Sequence, residues 1–169
     1  MVVRPKHPST RICRLPRRGM AAIEAAIVYP VFLLLLLGII LGGNAIFRYQ
    51  QTALLAREAA RWTSVRGADY QADTNSPPTS TQEILQQAVI PFATGMNLSS
   101  LTAQVQWVDQ STGTATAWDK SRQYVHSLDQ NGEYVTNTVR VTVTYSWSGG
   151  LWFLNNLSLR STSEVPMAY

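Results

Sequence analysis

Residues 25–47 read AAIVYPVFLLLLLGIILGGNAIF and contain no charged side chain. Nothing else in the chain constrains the fold as strongly. As a helix, these 23 residues rise roughly 34 Å at about 1.5 Å each, enough to cross a hydrocarbon layer of about 30 Å. Fourteen of them are Leu, Ile, Val or Phe. At about −0.3 to −0.6 kcal/mol apiece, they favour insertion by roughly 4–8 kcal/mol. A chain of 169 residues has little protein with which to surround such a helix, so burial in a globular core is the weaker reading. The expectation is one transmembrane helix.

The charges are segregated around this span. Arg4, Lys6, Arg11, Arg14, Arg17 and Arg18 all precede it. Residues 1–19 hold six of the 14 Lys and Arg and none of the 10 Asp and Glu, so the remainder carries eight basic groups against ten acidic ones. The net charge of +4 therefore belongs to a leader interrupted by Pro5, Pro8 and Pro16. It is not a nucleic-acid-binding surface. Only Arg48, Arg57, Arg61 and Arg66 follow the span within a similar distance. The bias puts the amino terminus in the cytoplasm and the rest of the chain outside it.

Chemistry is thinly supplied. A single cysteine, Cys13, excludes an intramolecular disulfide framework and a cysteine-rich zinc site. His7 and His126 are far apart in sequence, no triad pattern emerges, and no glycine-rich phosphate loop is present. Asp69 and Asp73 lack the loop that a calcium site needs. The expectation is a protein that is not an enzyme and holds neither metal nor cofactor.

The junction before the span is more specific: Arg17-Arg18-Gly19-Met20-Ala21-Ala22-Ile23-Glu24. A carboxylate at the edge of a membrane helix is costly without a partner. Cleavage after Gly19 would create an α-amino group on Met20, cationic near neutral pH. Glu24 could pair with that amine on a neighbouring subunit. The plainer alternative is a glutamate solvated among headgroups. Pro30 removes one helix hydrogen bond early in the span and bends or loosens a turn. Gly38 and Gly42 form a GxxxG pattern, a spacing that lets two helices approach closely.

The run GMAAIEAAIVYPVFLLLLLGII, followed by FRYQQTALLAREAARWTSVRG, resembles the TadE-like family, pseudopilins of the tight-adherence (Flp pilus) system. The resemblance rests on Gly19, Glu24, Pro30, the leucine-rich span with Gly38, and the Ala-Arg-Glu-Ala-Ala-Arg run at residues 56–61. It covers about residues 17–67. The chain departs from the pattern at Ala25, where an aromatic residue is common. The resemblance implies a class III signal, cut by a prepilin peptidase between Gly19 and Met20. It also implies insertion in the bacterial inner membrane, with other pilins, pseudopilins and Tad assembly-platform proteins as partners. Glu24 would then be the subunit-pairing residue, and Pro30, Gly38 and Gly42 the packing and kink positions.

Beyond the span, alanines and leucines at residues 53–56 and 59–60 sustain helix propensity. Leu55, Ala59, Trp62 and Val65 fall on one helical face. The long helix is expected over residues 20–66, with Gly67 ending it as a C′ residue. Residues 68–81 read as a polar loop. Ser80-Thr81-Gln82-Glu83 reads as a capping box before a short helix disturbed by Pro91. Strands are expected at 101–108, near 114–118, from about 134 to 147, and at 157–165. In the clearest, Val139, Val141, Val143, Tyr145 and Trp147 face one way. Residues 119–133 read as polar, with a turn at Asn131-Gly132. Leu151-Trp152-Phe153-Leu154 forms an apolar turn region after the Gly149-Gly150 break, and Trp152 and Phe153 are candidates for subunit contact.

The reading is α+β and pilin-like: a leader at 1–19, a long helix at 20–66, and a head at 67–169. The head is a small antiparallel sheet with a short helix. The function expected is structural, in pilus biogenesis, adhesion and secretion. The alternative is an uncleaved single-span protein whose head binds a ligand or an envelope partner. A third reading is a secreted protein cut near Ala45.

Overall fold

A computed structural model describes residues 18–148 and 156–169. The leader through Arg17, with Cys13 and His7, lies outside the described residues. So do the Gly149-Gly150 break and the apolar run Leu151-Trp152-Phe153-Leu154. The chain divides into two units, Met1–Ile40 and Leu41–Tyr169.

In the first unit the described residues form one helix, the start of α1 (Arg18–Ser64, 47 residues). Its apolar side chains face outward all round: Ile27, Leu34 and Ile39 are 66–71% exposed. The most apolar stretch of α1 has none of its residues buried, and this is one helix long and apolar enough to cross a membrane. The buried-core reading of the span is therefore set aside. A helix that is apolar on every face without protein cover suits lipid as its solvent.

In the second unit the same helix becomes one-sided. Thr52, Leu55, Ala56, Ala59, Ala60 and Thr63 are all fully buried, at the i, i+3, i+4, i+7 spacing of a helix face. The two threonines satisfy their hydroxyls locally, Thr52 on the Arg48 carbonyl and Thr63 on the Ala59 carbonyl. This face joins a core with Ile84, Val89, Trp118, Val139, Val141 and Val143.

The sheet opposite is antiparallel, in the order β2-β1-β5-β6, from β1 (Leu101–Asp109), β2 (Thr114–Ala117), β5 (Thr138–Trp147) and β6 (Leu157–Pro166). Alternation fixes its buried face. Val139, Val141, Val143, Tyr145 and Trp147 are all buried, as a half-covered sheet requires. The register sets Val105 opposite Val141 and Trp107 opposite Val139. On the solvent side, Glu164 of β6 accepts from the Thr138 hydroxyl at 2.6 Å and from Arg140 Nε at 2.8 Å. The Thr138 bond first, and Arg140 with it, hold the Glu164 carboxyl below the usual carboxylate range against a desolvation that opposes them.

One expected strand is two. β4 (Tyr134–Thr136) pairs with β3 (His126–Leu128) in a separate two-stranded sheet, so the expected polar stretch at 119–133 contains a strand. The division falls at Asn137, which is fully buried. Its N–H donates to the Val125 carbonyl and its Nδ2 to the Tyr124 carbonyl and Ser127 hydroxyl. Its Oδ1 and carbonyl accept from the Gln110 and Met167 N–H groups. A buried amide with every group engaged pins one chain geometry, and periodicity alone does not reveal it. The turn at Asn131-Gly132 is present. Asp129 closes it by accepting from the N–H groups of Asn131 and Glu133. The Glu133 contact first, and the others with it, keep the Asp129 carboxyl below its ordinary range.

The helix end also differs from expectation. α1 stops at Ser64, and Gly67 is not a left-handed C′ residue (φ −82°). The Ser64 carbonyl instead accepts from the N–H groups of Ala168 and Tyr169, while the Gly67 N–H donates to the Tyr169 carbonyl at 2.8 Å. The carboxyl terminus does the capping that glycine does elsewhere. Val65, expected on the apolar face, is 40% exposed because it follows the last helical turn. The expected polar loop at 68–81 begins with a helix, α2 (Ala68–Thr74), ended by Asn75 in the left-handed region. Ser80 caps α3 (Thr81–Ile84), its hydroxyl accepting from the Glu83 N–H. The chain continues as π-helix at Leu85–Val89 and a 3-10 turn at Ile90–Phe92, with Pro91 at its start.

Gly67 is glycine for lack of space. A Cβ there would lie 2.5 Å from Met167 Cε and 2.8 Å from both the Gln123 and Tyr169 carbonyl oxygens. The methionine tip can move, but the two backbone oxygens cannot without breaking the cap. Gly67→Ala is expected to destabilise the head by about 1–3 kcal/mol, read as a lowered thermal midpoint with the far-ultraviolet signal of α1 retained.

Candidate functional site

The residues singled out for processing, pairing and helix packing all lie on α1. Gly19 and Met20 stand at the beginning of the described part of α1, which runs from Arg18. No heavy atom lies within 4 Å of a Cβ built on Gly19, and Met20 is 77% exposed. Among the described residues nothing crowds the bond between these two. Glu24 is exposed and stands four residues after Met20, which puts both on one helix face.

The helix continues through Pro30. Proline has no N–H, so the Ala26 carbonyl lacks its ordinary i+4 donor and the defect is confined to one turn. Gly38, Gly42 and Gly43 have no heavy atom within 4 Å of a built Cβ. Nothing in the described chain requires glycine at these positions, in contrast to Gly67. Each opens a shallow place on the helix surface where another helix backbone can come close.

Past the span, Arg57 and Arg61 are exposed, Arg61 being 3.9 Å from Glu58. Such a surface pair contributes little. Arg66 behaves differently. Its guanidinium lies 3.7 Å from the centroid of the Trp62 ring and donates to the Trp62 carbonyl, a stacked cation on an aromatic face. Beside it is a groove of about 510 Å³ lined by Trp62, Val65, Arg66, Phe92 and Val165 among others. Sequence reading did not assemble this groove, because its walls come from α1, the 3-10 turn and β6.

Other candidates resolve into local structure. Asp73 accepts a hydrogen bond from the Tyr169 hydroxyl. That bond first, then desolvation and the charges of Asp73 and Asp69, raise the Tyr169 phenol above its usual range. Asp109 is opposed by desolvation, yet bonds from Ser111 and its neighbours carry its carboxyl below the ordinary value. Asn97 accepts from the Ser99 N–H and hydroxyl, capping a 3-10 turn. Among the described residues no cluster of three or more His, Cys, Asp or Glu could hold a metal ion.

The surface with the most to offer is thus the exposed first half of α1, and a comparison places it. Residues 19–61 match the family model described as TadE-like protein. Neither a curated protein nor a solved structure matches the chain. The TadE-like segment takes in Gly19, Met20, Glu24, Pro30, Gly38 and Gly42. It also takes in the buried face from Thr52 to Ala60, and it ends at Arg61 before the sheet begins. The family resemblance read from sequence over about residues 17–67 is therefore met on nearly the same stretch. With one helix long and apolar enough to cross a membrane among the described residues, the coarse reading is a membrane-anchored, single-span protein.

Because Gly38 and Gly42 touch nothing within the described chain, enlarging them tests what lies outside it. Gly38→Leu and Gly42→Leu are each expected to leave head stability within about 0.5 kcal/mol of the parent. Energy transfer between labelled copies in vesicles is expected to fall if these glycines seat a second helix.

Proposed function

We propose that the chain is a minor pseudopilin-like assembly protein of the Tad (Flp) pilus. It sits in the bacterial inner membrane through residues 25–47, with the leader cytoplasmic and the head outside. It acts by packing and not by catalysis. The observation that carries this reading is the TadE-like match over residues 19–61, since that segment contains both the Gly19–Glu24 junction and the apolar span.

A prepilin peptidase removes residues 1–19 by cutting between Gly19 and Met20. The basic leader is then an orientation signal and is lost after insertion. The new amine on Met20 is cationic near neutral pH. Glu24, exposed and one turn further on, pairs with that amine on an adjacent pilin or pseudopilin. Within lipid an unmatched carboxylate is costly, so the pair sets the axial register of neighbouring helices. Gly38 and Gly42 let those helices close up, and the missing hydrogen bond at Pro30 gives the span a turn that can adapt between membrane and filament. Platform proteins of the Tad system receive the assembled helices.

The test is intact mass of the membrane-extracted chain. With an active peptidase the chain is expected to begin at Met20, and Gly19→Ala is expected to keep it full length. Full-length chain alone in cells with an active peptidase would overturn processing and favour the uncleaved single-span alternative. Glu24→Ala is expected to insert and be cut normally while pilus output drops; undiminished output would remove the pairing role.

A further inference from the structure

The head has one end poor in charge, and that end meets α1 at Arg48, just past the apolar span. From Ile84 to Val108, and again from Val141 to Leu159, the sequence has no Asp, Glu, Lys or Arg. The antiparallel register brings the described parts of these runs together. Leu101, at the start of β1, stands opposite Tyr145, and Trp147, at the end of β5, stands opposite Leu157. The turn at residues 94–97 closes the same end, its Asn97 N–H reaching the Tyr145 hydroxyl at 3.4 Å. Leu98 and Leu157 there are 48% and 42% exposed. The head's acidic turn, with Asp129 and Glu133, leads through β4 into β5 at Thr138, the opposite end of the sheet.

The turn at 94–97 also touches α1 at a defined height. A Cβ on Gly95 would lie 3.7 Å from an Arg48 guanidinium nitrogen, and Gln51 Nε2 donates to the Thr94 carbonyl at 3.4 Å. Arg48 is the first charged residue after the span. Ala45, still within the span, packs against the head core. Any surface level with Ala45 and Arg48 on a membrane-spanning helix is level with the headgroup–acyl boundary. A long cation there can keep its head in water while its stem lies along apolar surface.

We propose that this end of the head, with Leu98 and Leu157 at its surface, rests on the outer lipid boundary of the membrane. The contact holds the head against the bilayer instead of leaving it free on a stalk. Burial of exposed leucine side chains at the interface drives it, and the cations nearest this end, Arg48 and Arg160, are long enough to keep their heads among the headgroups. The inference rests on the membrane anchorage proposed above.

The full chain carrying Cys13→Ser is labelled with an environment-sensitive nitrobenzoxadiazole dye at Leu98→Cys, Leu157→Cys, Leu34→Cys or Glu133→Cys. Each is reconstituted sparsely in phosphatidylcholine–phosphatidylglycerol vesicles with doxyl lipids of shallow or deep label. The Leu98→Cys and Leu157→Cys probes are expected to shift to the blue and to lose emission to the shallow doxyl label. Leu34→Cys should respond to the deep label and Glu133→Cys to neither. Leu98→Cys and Leu157→Cys emission matching that of Glu133→Cys, with Leu34→Cys embedded, overturns the proposal alone. A water-exposed Leu34→Cys overturns the anchorage itself. Blue-shifted head probes that ignore doxyl lipid and follow protein density point to a second copy on this face, and also overturn it. Leu157→Cys stands in if Leu98→Cys does not fold.

Discussion

The head depends on one core shared by the buried face of α1 and the valine face of the sheet. Ala56, Ala59 and Ala60 are fully buried beside Leu55, in the same core as Val139, Val141 and Val143. Interiors are packed without slack, so the alanines serve as spacing elements as much as helix formers. The sequence reads them first through propensity, since Ala-Arg-Glu-Ala-Ala-Arg is a good helical run by any scale. Their burial explains why the arginines and glutamate of the same run point away: with the alanine face occupied, Arg57, Glu58 and Arg61 are left to solvent.

That helix–sheet contact is closed by polar groups from distant parts of the chain. The carboxyl-terminal residues cap the Ser64 carbonyl, the Gly67 N–H returns to Tyr169, and Ala68 donates to Gln123. Gln123 in turn bonds Gln71 and the Trp118 carbonyl, and Trp118 Nε1 bonds the Thr79 carbonyl. Among the described residues no buried side-chain nitrogen or oxygen lacks a partner. Since an orphaned buried polar group costs about 1–3 kcal/mol, such a network favours one arrangement over near alternatives.

Local signals were legible in the sequence. The alternation from Val139 to Trp147 predicted its buried face because period two maps directly onto the two sides of a sheet. The Ser80 cap was legible because its acceptor and donor are three residues apart. The candidate site was legible for the same reason. Gly19, Glu24, Pro30 and the Gly38–Gly42 spacing are local features of one helix, and the structure adds their exposure. Three features were not legible. Gly67 looked like a helix stop, but its reason is a carbonyl one hundred residues away. Residues 68–74 looked like a loop because α2 has no buried residue and so no apolar stripe. The strand at 134–147 looked continuous because Asn137 fits the pattern of a sheet and is diverted only by partners from three other segments.

The sequence by itself determined the long helix, the uncovered apolar span and the sheet face of the head, because each follows from the order of apolar and polar residues along a short stretch. It also placed the charge, with a basic leader before the span and two uncharged runs after it. Tertiary structure alone decided where α1 ends, where the strand divides, and that the described parts of the two uncharged runs meet on the side of the head that touches Arg48. Those outcomes depend on hydrogen bonds and strand pairing between residues far apart in sequence, whose partners no local pattern can name.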